Sequence, residues 1–327
     1  MKKILLRTLA VLVIIVAGLV IFIFVSWSKK HEAPYPEIKS STDSAIIARG
    51  KYLAFGPAHC ASCHTPMDKL EAVDKGLEIP LSGGWELDIP PGIFRAPNLT
   101  PDIETGIGKL TDAEVARVLR YSIGHDGRTI FPFMPFQEMS DEDLTALISF
   151  LRSQPAVKNA IKPTEHSFLG KAVMAFGLVK PAGPKNTPPK SVASDSTVLS
   201  GSYLANSVAN CVGCHTKRDM KTGEFIGPAF AGGMQMAADA FSHGFSFVTP
   251  NLTPDPETGI LSTWTESSFV SRFRSGRVQP GSPMPWGSFS RMSDVDLKAL
   301  YKYLKSLEPV NNKITKVVYA PGEKFPD

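Results

Sequence analysis

Cys60-Ala-Ser-Cys63-His64 and Cys211-Val-Gly-Cys214-His215 are two copies of one pentapeptide, and together they hold all four cysteines of a 327-residue chain. Two thiols three positions apart, followed at once by an imidazole, have the spacing of a c-type haem attachment site. The thiols form thioether bonds to one porphyrin and the histidine ligates its iron. Three other readings compete. The two cysteine pairs of a zinc site usually lie about 15–20 residues apart, whereas well over a hundred residues separate Cys63 from Cys211. A thioredoxin-like Cys-x-x-Cys expects a βαβ context, and neither segment is flanked by a strand pattern. Two disulfides would suit an oxidising compartment but leave both histidines without a role. The pentapeptides therefore predict two covalently bound c-type haems, one on Cys60, Cys63 and His64, the other on Cys211, Cys214 and His215.

The similarity of the two halves extends outward from these segments. Gly50-Lys-Tyr52-Leu53-Ala54 precedes Cys60 as Gly201-Ser-Tyr203-Leu204-Ala205 precedes Cys211. Leu81-Ser-Gly83-Gly84 answers to Phe230-Ala-Gly232-Gly233, and Pro97-Asn98-Leu-Thr-Pro-Asp102 to Pro250-Asn251-Leu-Thr-Pro-Asp255. Met134-Pro135-Phe136 answers to Met284-Pro285-Trp286, and each half closes on Ser-Asp-x-Asp-Leu and a helical run. A period of about 150 residues is too long for a solenoid and has the size of an ordinary domain.

Each copy reads as helical. Ser41, Thr42 or Asp43 can cap a helix running through Ala54, with Ile46, Ile47 and Leu53 on an apolar stripe. Thr111-Asp-Ala-Glu114 is a capping box, and Ser140 opens a last helix that Pro155 ends. Gly50 and Gly201 recur inside the first helix, which predicts close helix–helix approach, with Phe150 and Tyr303 as contacts. No alternating strand pattern exceeds a few residues. Lys180-Pro-Ala-Gly-Pro-Lys-Asn-Thr-Pro-Pro-Lys190 reads as a semi-rigid linker. The apolar segment from Phe168 to Leu178 is too short to cross a bilayer and is expected to pack along a domain or between the two.

The chain begins with Lys2, Lys3 and Arg7, followed by an apolar run from Leu9 to Val25. Extended from Thr8 to Trp27, it would span roughly 30 Å as a helix, one bilayer crossing. A cleavable signal peptide has a shorter core and a small-x-small exit; this run ends in Phe24-Val25-Ser26-Trp27, which favours an uncleaved anchor. More positive charge stands before the helix than after it, placing the N-terminus in the cytoplasm and the body on the periplasmic side of a bacterial inner membrane. Of 35 basic and 31 acidic residues, five basic ones lie in residues 1–30, leaving 30 against 31 for the body. Nucleic acid is not an expected partner of so balanced a surface.

A second axial ligand separates electron-transfer haems from haems that bind small molecules. Met134 lies 70 residues after His64 and Met284 lies 69 after His215, each in a proline-flanked loop. They are the expected sixth ligands. Met67, Met139, Met174 and Met292 read as core filling. His59 stands too close to Cys60 to reach the far face of a haem. His125, His166 and His243 lack partners in the other copy and read as surface histidines, and Lys51 as a solvated helix residue. Trp85, Trp264 and Trp286 read as haem-wall or core residues. Asn98 and Asn251 formally begin glycosylation sequons, but the prolines that follow favour a hydrogen bond near the haem or a turn-shaping role.

Pro97-Asn-Leu-Thr-Pro-Asp-x-x-Thr-Gly-Ile-Gly108, Asp126-Gly127-Arg128 and Met134-Pro135-Phe136 together resemble the cytochrome c subunits of membrane-bound alcohol, aldehyde and gluconate dehydrogenases. The resemblance covers nearly all of residues 44–310. It implies a mainly α fold, with two tandem class I cytochrome c-like domains after one N-terminal transmembrane helix. The expected boundaries are an anchor at 1–30 (helix about 8–27), a first domain at 44–178, a proline-rich linker at 179–196 and a second domain at 197–318. The implied function is relay of single electrons from a dehydrogenase to a quinone, a cytochrome or an oxidase, without a catalytic site of its own. Two departures stand out. Those subunits typically carry three haem domains and a C-terminal membrane attachment. The second copy here also replaces Asp-Gly-Arg with the shorter Gly276-Arg-Val-Gln-Pro-Gly281. The enzymatic alternative is a di-haem peroxidase, which requires one haem to open to peroxide. Two methionines at nearly equal offsets argue against it.

Overall fold

The computed structural model describes residues 1–219 and 223–325. Lys2–Ser26 form one helix, α1, since the run has no proline to interrupt it and a single glycine. It reaches a mean hydropathy of 3.2 and is long and apolar enough to cross a membrane; at 25 residues it measures about 37 Å. Its side chains are exposed along almost its whole length, Ile23 being the exception.

The first copy follows with α2 (Ser44–Phe55), α3 (Leu70–Asp74), α4 (Asp112–Tyr121), α5 (Asp141–Ser153) and α6 (Phe168–Ala175). The chemistry that starts them is local. Asp43 caps α2 by accepting from the amides of Ala45 and Ile46 at 2.8 and 3.2 Å. Thr111 and Glu114 form the expected capping box of α4, and Ser140 caps α5. The second copy has α7 (Val198–Tyr203), running on as a π-turn over Leu204–Val208, then α8 (Cys211–Cys214), α9 (Glu266–Arg274), α10 (Trp286–Phe289) and α11 (Asp294–Lys305). Three short antiparallel strands flank each copy: β1 (Glu86–Ile89), β2 (Gly92–Arg95) and β3 (Glu165–His166), then β4 (Gln235–Met236), β5 (Ser246–Val248) and β6 (Val318–Tyr319).

In each copy the first helix crosses a later one at a glycine, α2 on α5 and α7 on α11. A Cβ on Gly50 would stand 1.8 Å from the Ala146 carbonyl and 2.8 Å from Cβ of Phe150; one on Gly201 would stand 2.0 Å from the Ala299 carbonyl and 2.7 Å from Cβ of Tyr303. The close approach and both aromatic contacts are as expected. Leu53, Leu144, Leu147, Leu297 and Leu300 close the core around these crossings.

The two copies dock reciprocally, through the tyrosine of the repeated Gly-x-Tyr. The Tyr52 hydroxyl donates to Asp296 and accepts from the Ser293 amide at 2.9 Å. The Tyr203 hydroxyl donates to Asp143 at 2.9 Å and accepts from the Ser140 amide at 3.0 Å. Tyr203 thus completes the start of α5 and Tyr52 that of α11, an isologous contact within one chain.

Some expectations are corrected. α6 does lie along the first copy, but it also packs against the end of α1, with ring centroids of Phe22 and Phe176 5.5 Å apart. The proline-rich segment is docked, its Pro189 and Lys190 carbonyls accepting from the first amides of α5 at 3.0 and 2.9 Å. Met139 and Met292 are core residues, but Met67 is 46% exposed. His166 is half-buried, stacked on Phe131 and set at a tilt against Trp27.

Candidate haem sites

The residue before each first cysteine, His59 or Asn210, adopts a left-handed conformation, with φ of 41° and 52°. This reverses the chain into a single helical turn, closed by the His64 and His215 amides donating to the Cys60 and Cys211 carbonyls at 2.9 Å. Within such a turn, positions i, i+3 and i+4 share a face, so both thiols and the imidazole of each copy point the same way. None of the four cysteines is in a disulfide. Burial pushes the Cys60 and Cys211 thiols up to about 12 and Cys63 to about 11, so neither pair is poised as a thiolate. Among the described residues no group of three or more His, Cys, Asp or Glu side chains converges. His59 bonds the Pro57 carbonyl and sets its ring against Phe289.

Both candidate ligand histidines are oriented by the backbone. Nδ1 of His64 lies 2.9 Å from the Pro97 carbonyl, and Nδ1 of His215 lies 3.1 Å from that of Pro250. A carbonyl can only accept, so Nδ1 carries the proton and Nε2 keeps a lone pair for a metal. Burial lowers both pKa values, which favours the neutral form that ligates. The repeated Gly-Gly makes room for this arrangement. Gly83 and Gly232 both have φ of 74°, and a Cβ on either would fall within 2.6 Å of the carbonyl carbon of Pro97 or Pro250.

Asn98 and Asn251 shape the segment that carries those carbonyls. Nδ2 of Asn98 donates to Thr105 and to the Val157 carbonyl, while Oδ1 accepts from Thr100. Asn251 repeats the pattern with Thr258, Val310 and Thr253. Both are buried, so they serve the turn and not a glycan.

Met134 and Met284 are partly buried against the same continuous core as Cys60 and Cys211. In each copy an arginine from the preceding helix holds the segment between the methionine and the next long helix. Arg120 of α4 donates to the carbonyls of Gln137 and Met139 at 2.9 and 2.5 Å and to Asp141 at 2.8 Å. Arg274 of α9 donates to the Ser290 carbonyl at 2.6 Å and to Asp294 at 2.5 Å.

The cytochrome c family pattern matches residues 47–155 and again 200–308, each range containing one attachment turn and one methionine loop. The chain belongs to the cytochrome c family. It is 31% identical over 297 residues to the cytochrome c subunit of the quinone alcohol dehydrogenase of Gluconacetobacter polyoxogenes, covering 86% of this chain and 60% of that subunit. It is 28% identical over 288 residues to the fructose dehydrogenase cytochrome subunit of Gluconobacter japonicus, covering 84% and 55%. With the diheme cytochrome c-type protein of Cereibacter sphaeroides it shares 26% identity over 271 residues, covering 80% and 86%. The chain thus spans well under two thirds of the dehydrogenase subunits' length.

Several contacts that matter to this cytochrome escaped the sequence. Ser62, between the two cysteines of the first turn, meets Ser288 just beyond Met284, Oγ to Oγ 3.2 Å. Trp85, expected as a haem wall or core residue, stacks on Phe241 of the other copy at 5.4 Å. Trp286 is buried under the Arg272 guanidinium, and Trp264 packs on Phe269. His125 and His243 are exposed, as expected, and exposed Lys51 pairs with Glu78. The loop arginines were legible only as a basic residue recurring ahead of each methionine.

Proposed function

We propose that this cytochrome is a membrane-anchored, periplasm-facing relay of single electrons carrying two c-type haems. The first would be tethered by Cys60 and Cys63 and ligated by His64 and Met134; the second by Cys211 and Cys214, with His215 and Met284. The donor sets fit the group: two parallel thiols, an imidazole whose Nε2 is free, and a soft thioether held on the same core. When bound, each haem supplies a one-electron iron couple. The protein orients the imidazole, pins the methionine loop, excludes water and fixes the two domains, proposed at 44–178 and 197–318, against each other. We further propose α1 as a single-pass anchor in a bacterial inner membrane, a dehydrogenase as donor, and a quinone, cytochrome or oxidase as acceptor. The names of the relatives support the donor.

The observation that supports a relay is the contact between the first attachment turn and α10, the short helix just after Met284, Ser62 on Ser288. It would set one haem's tether near the segment that carries the other's proposed sixth ligand. The full chain, matured with haem, is expected to contain two haems by its alkaline pyridine spectrum. Met284→Ala should keep both but lower one potential by tenths of a volt, a fraction of the roughly 0.8 V that axial ligands span, and produce a high-spin iron. An unaltered spectrum and potential would move the ligand elsewhere. Rapid peroxide turnover by the unmodified chain would favour the peroxidase.

A further inference from the structure

We propose that α6 and the turn after it form a second membrane element, seated in the outer leaflet beside α1 and fixing how the first haem domain stands on the bilayer. This rests on α1 being the anchor, and depth follows from that. Phe176 packs on Phe22 and Phe168 on Phe24, with centroids 5.5 and 6.4 Å apart. Phe22 precedes Trp27 by five residues, about 8 Å along a helix. With Trp27 at the interface, the Phe22–Phe176 contact lies that far below it, within the roughly 5–10 Å that interfacial helices penetrate. Whatever packs on this part of α1 shares its solvent.

The surface of α6 suits acyl chains. Packing on α1 still leaves Phe168, Leu169, Phe176 and Leu178 between 49% and 56% exposed, an apolar patch continuous with that of α1. The helix has one charged residue, Lys171. Its ammonium lies 4.9 Å from the Phe24 ring centre and 5.4 Å from that of Trp27. The stem thus runs along the aromatic rings while the charge stays near the level of Trp27.

α6 is also fastened to the first domain. A Cβ on Gly170 would fall 1.9 Å from the Pro91 carbonyl oxygen. The Ser167 amide donates to that carbonyl at 3.0 Å, and its hydroxyl to that of Pro90 at 2.7 Å. The chain leaving α1 is tied as well, His31 donating to the Gly127 carbonyl at 2.8 Å. The domain is therefore held rather than tethered. A layer of rings runs from Trp27 through His166 and Phe131 to Phe133, at 5.4, 5.8 and 6.1 Å. It places the loop of Met134 toward the lipid surface.

The test uses the full haem-loaded chain in phosphatidylcholine nanodiscs, where the native cysteines are consumed by thioether bonds. Leu169→Cys and Leu178→Cys are compared with Val16→Cys in α1 and Val278→Cys, a 63% exposed site in the second copy. Each is labelled with a membrane-impermeant maleimide, and the two-haem spectrum confirms folding. Both α6 positions are expected to react about tenfold or more slowly than Val278→Cys, as a thiol in an apolar medium forms little thiolate. Reaction at the Val278→Cys rate, with Val16→Cys still protected, would overturn the seating of α6 and leave the anchor standing. Fast reaction at Val16→Cys as well would remove the anchor, and this proposal with it.

Discussion

Gly83 and Gly232 lack side chains because the prolyl carbonyls that orient His64 and His215 occupy the space a Cβ would need. The positive φ at both adds a second reason for glycine. Gly83→Ala must therefore strain the backbone or push Pro97 away from Nδ1 of His64. The first domain is expected to lose about 1–3 kcal/mol, the usual cost of a strained backbone position. The potential of the first haem should shift while the second holds. Thermal unfolding together with a redox titration resolving the two centres measures both. A first potential that does not move would show that the carbonyl does not tune the iron's ligand.

The helices show what a sequence makes legible and what it hides. Asp43, Thr111 and Ser140 cap their helices through bonds within three residues, so local chemistry suffices to place them. The tyrosine exchange between copies is not local, for Tyr52 bonds Ser293 and Asp296; the visible trace was only a Gly-x-Tyr recurring before each pentapeptide. His166 read as a surface residue because α1, which packs on it, is remote in sequence; Met67 read as core filling because an unbranched apolar side chain says little about its own burial. The exchange itself is testable. Burial first, and then the facing carboxylates Asp296 and Asp143, push both hydroxyl pKa values above the ordinary 10. The docked tyrosines therefore keep their protons where exposed ones ionise. Their contribution is complete below about pH 10 and lost as pH climbs from there toward the docked values. The double variant Tyr52→Phe, Tyr203→Phe is expected to lose about 1–3 kcal/mol for each carboxylate left short of a partner, and to show a shallower alkaline decline. Thermal unfolding of both proteins from pH 8 to 11 decides this; parallel curves would remove the tyrosines from the account.

Across the whole molecule, one loop has diverged between the copies to do two different jobs. In the first copy Asp126-Gly127-Arg128 receives the segment leaving α1, through the Gly127 carbonyl and an isolated β-bridge between Lys30 and Arg128. In the second, the shorter replacement supplies Arg277, which donates to Asp74 of the first copy at 3.1 and 3.2 Å. Gly287 completes that contact, its amide donating to Asp74 at 3.0 Å. Met134-Pro135-Phe136 is followed by Gln137 where Met284-Pro285-Trp286 is followed by Gly287, so the docking that is symmetric at the tyrosines is built differently at this edge, where the first attachment turn meets α10. A Cβ on Gly287 would fall 2.3 Å from the Asp74 carboxylate oxygen and 2.5 Å from its Cα, too close for any rotamer to relieve. Gly287→Val is therefore expected to part the domains at this edge, with an overpacking cost of about 1–3 kcal/mol, while each haem keeps its own ligands and spectrum. Electron equilibration between the two haems should slow, whereas reduction of either by a small external donor should not. Pulse-radiolytic reduction followed at two wavelengths separates these rates. Equal internal rates in the variant and the parent would mean that the Ser62–Ser288 edge is not where the centres communicate.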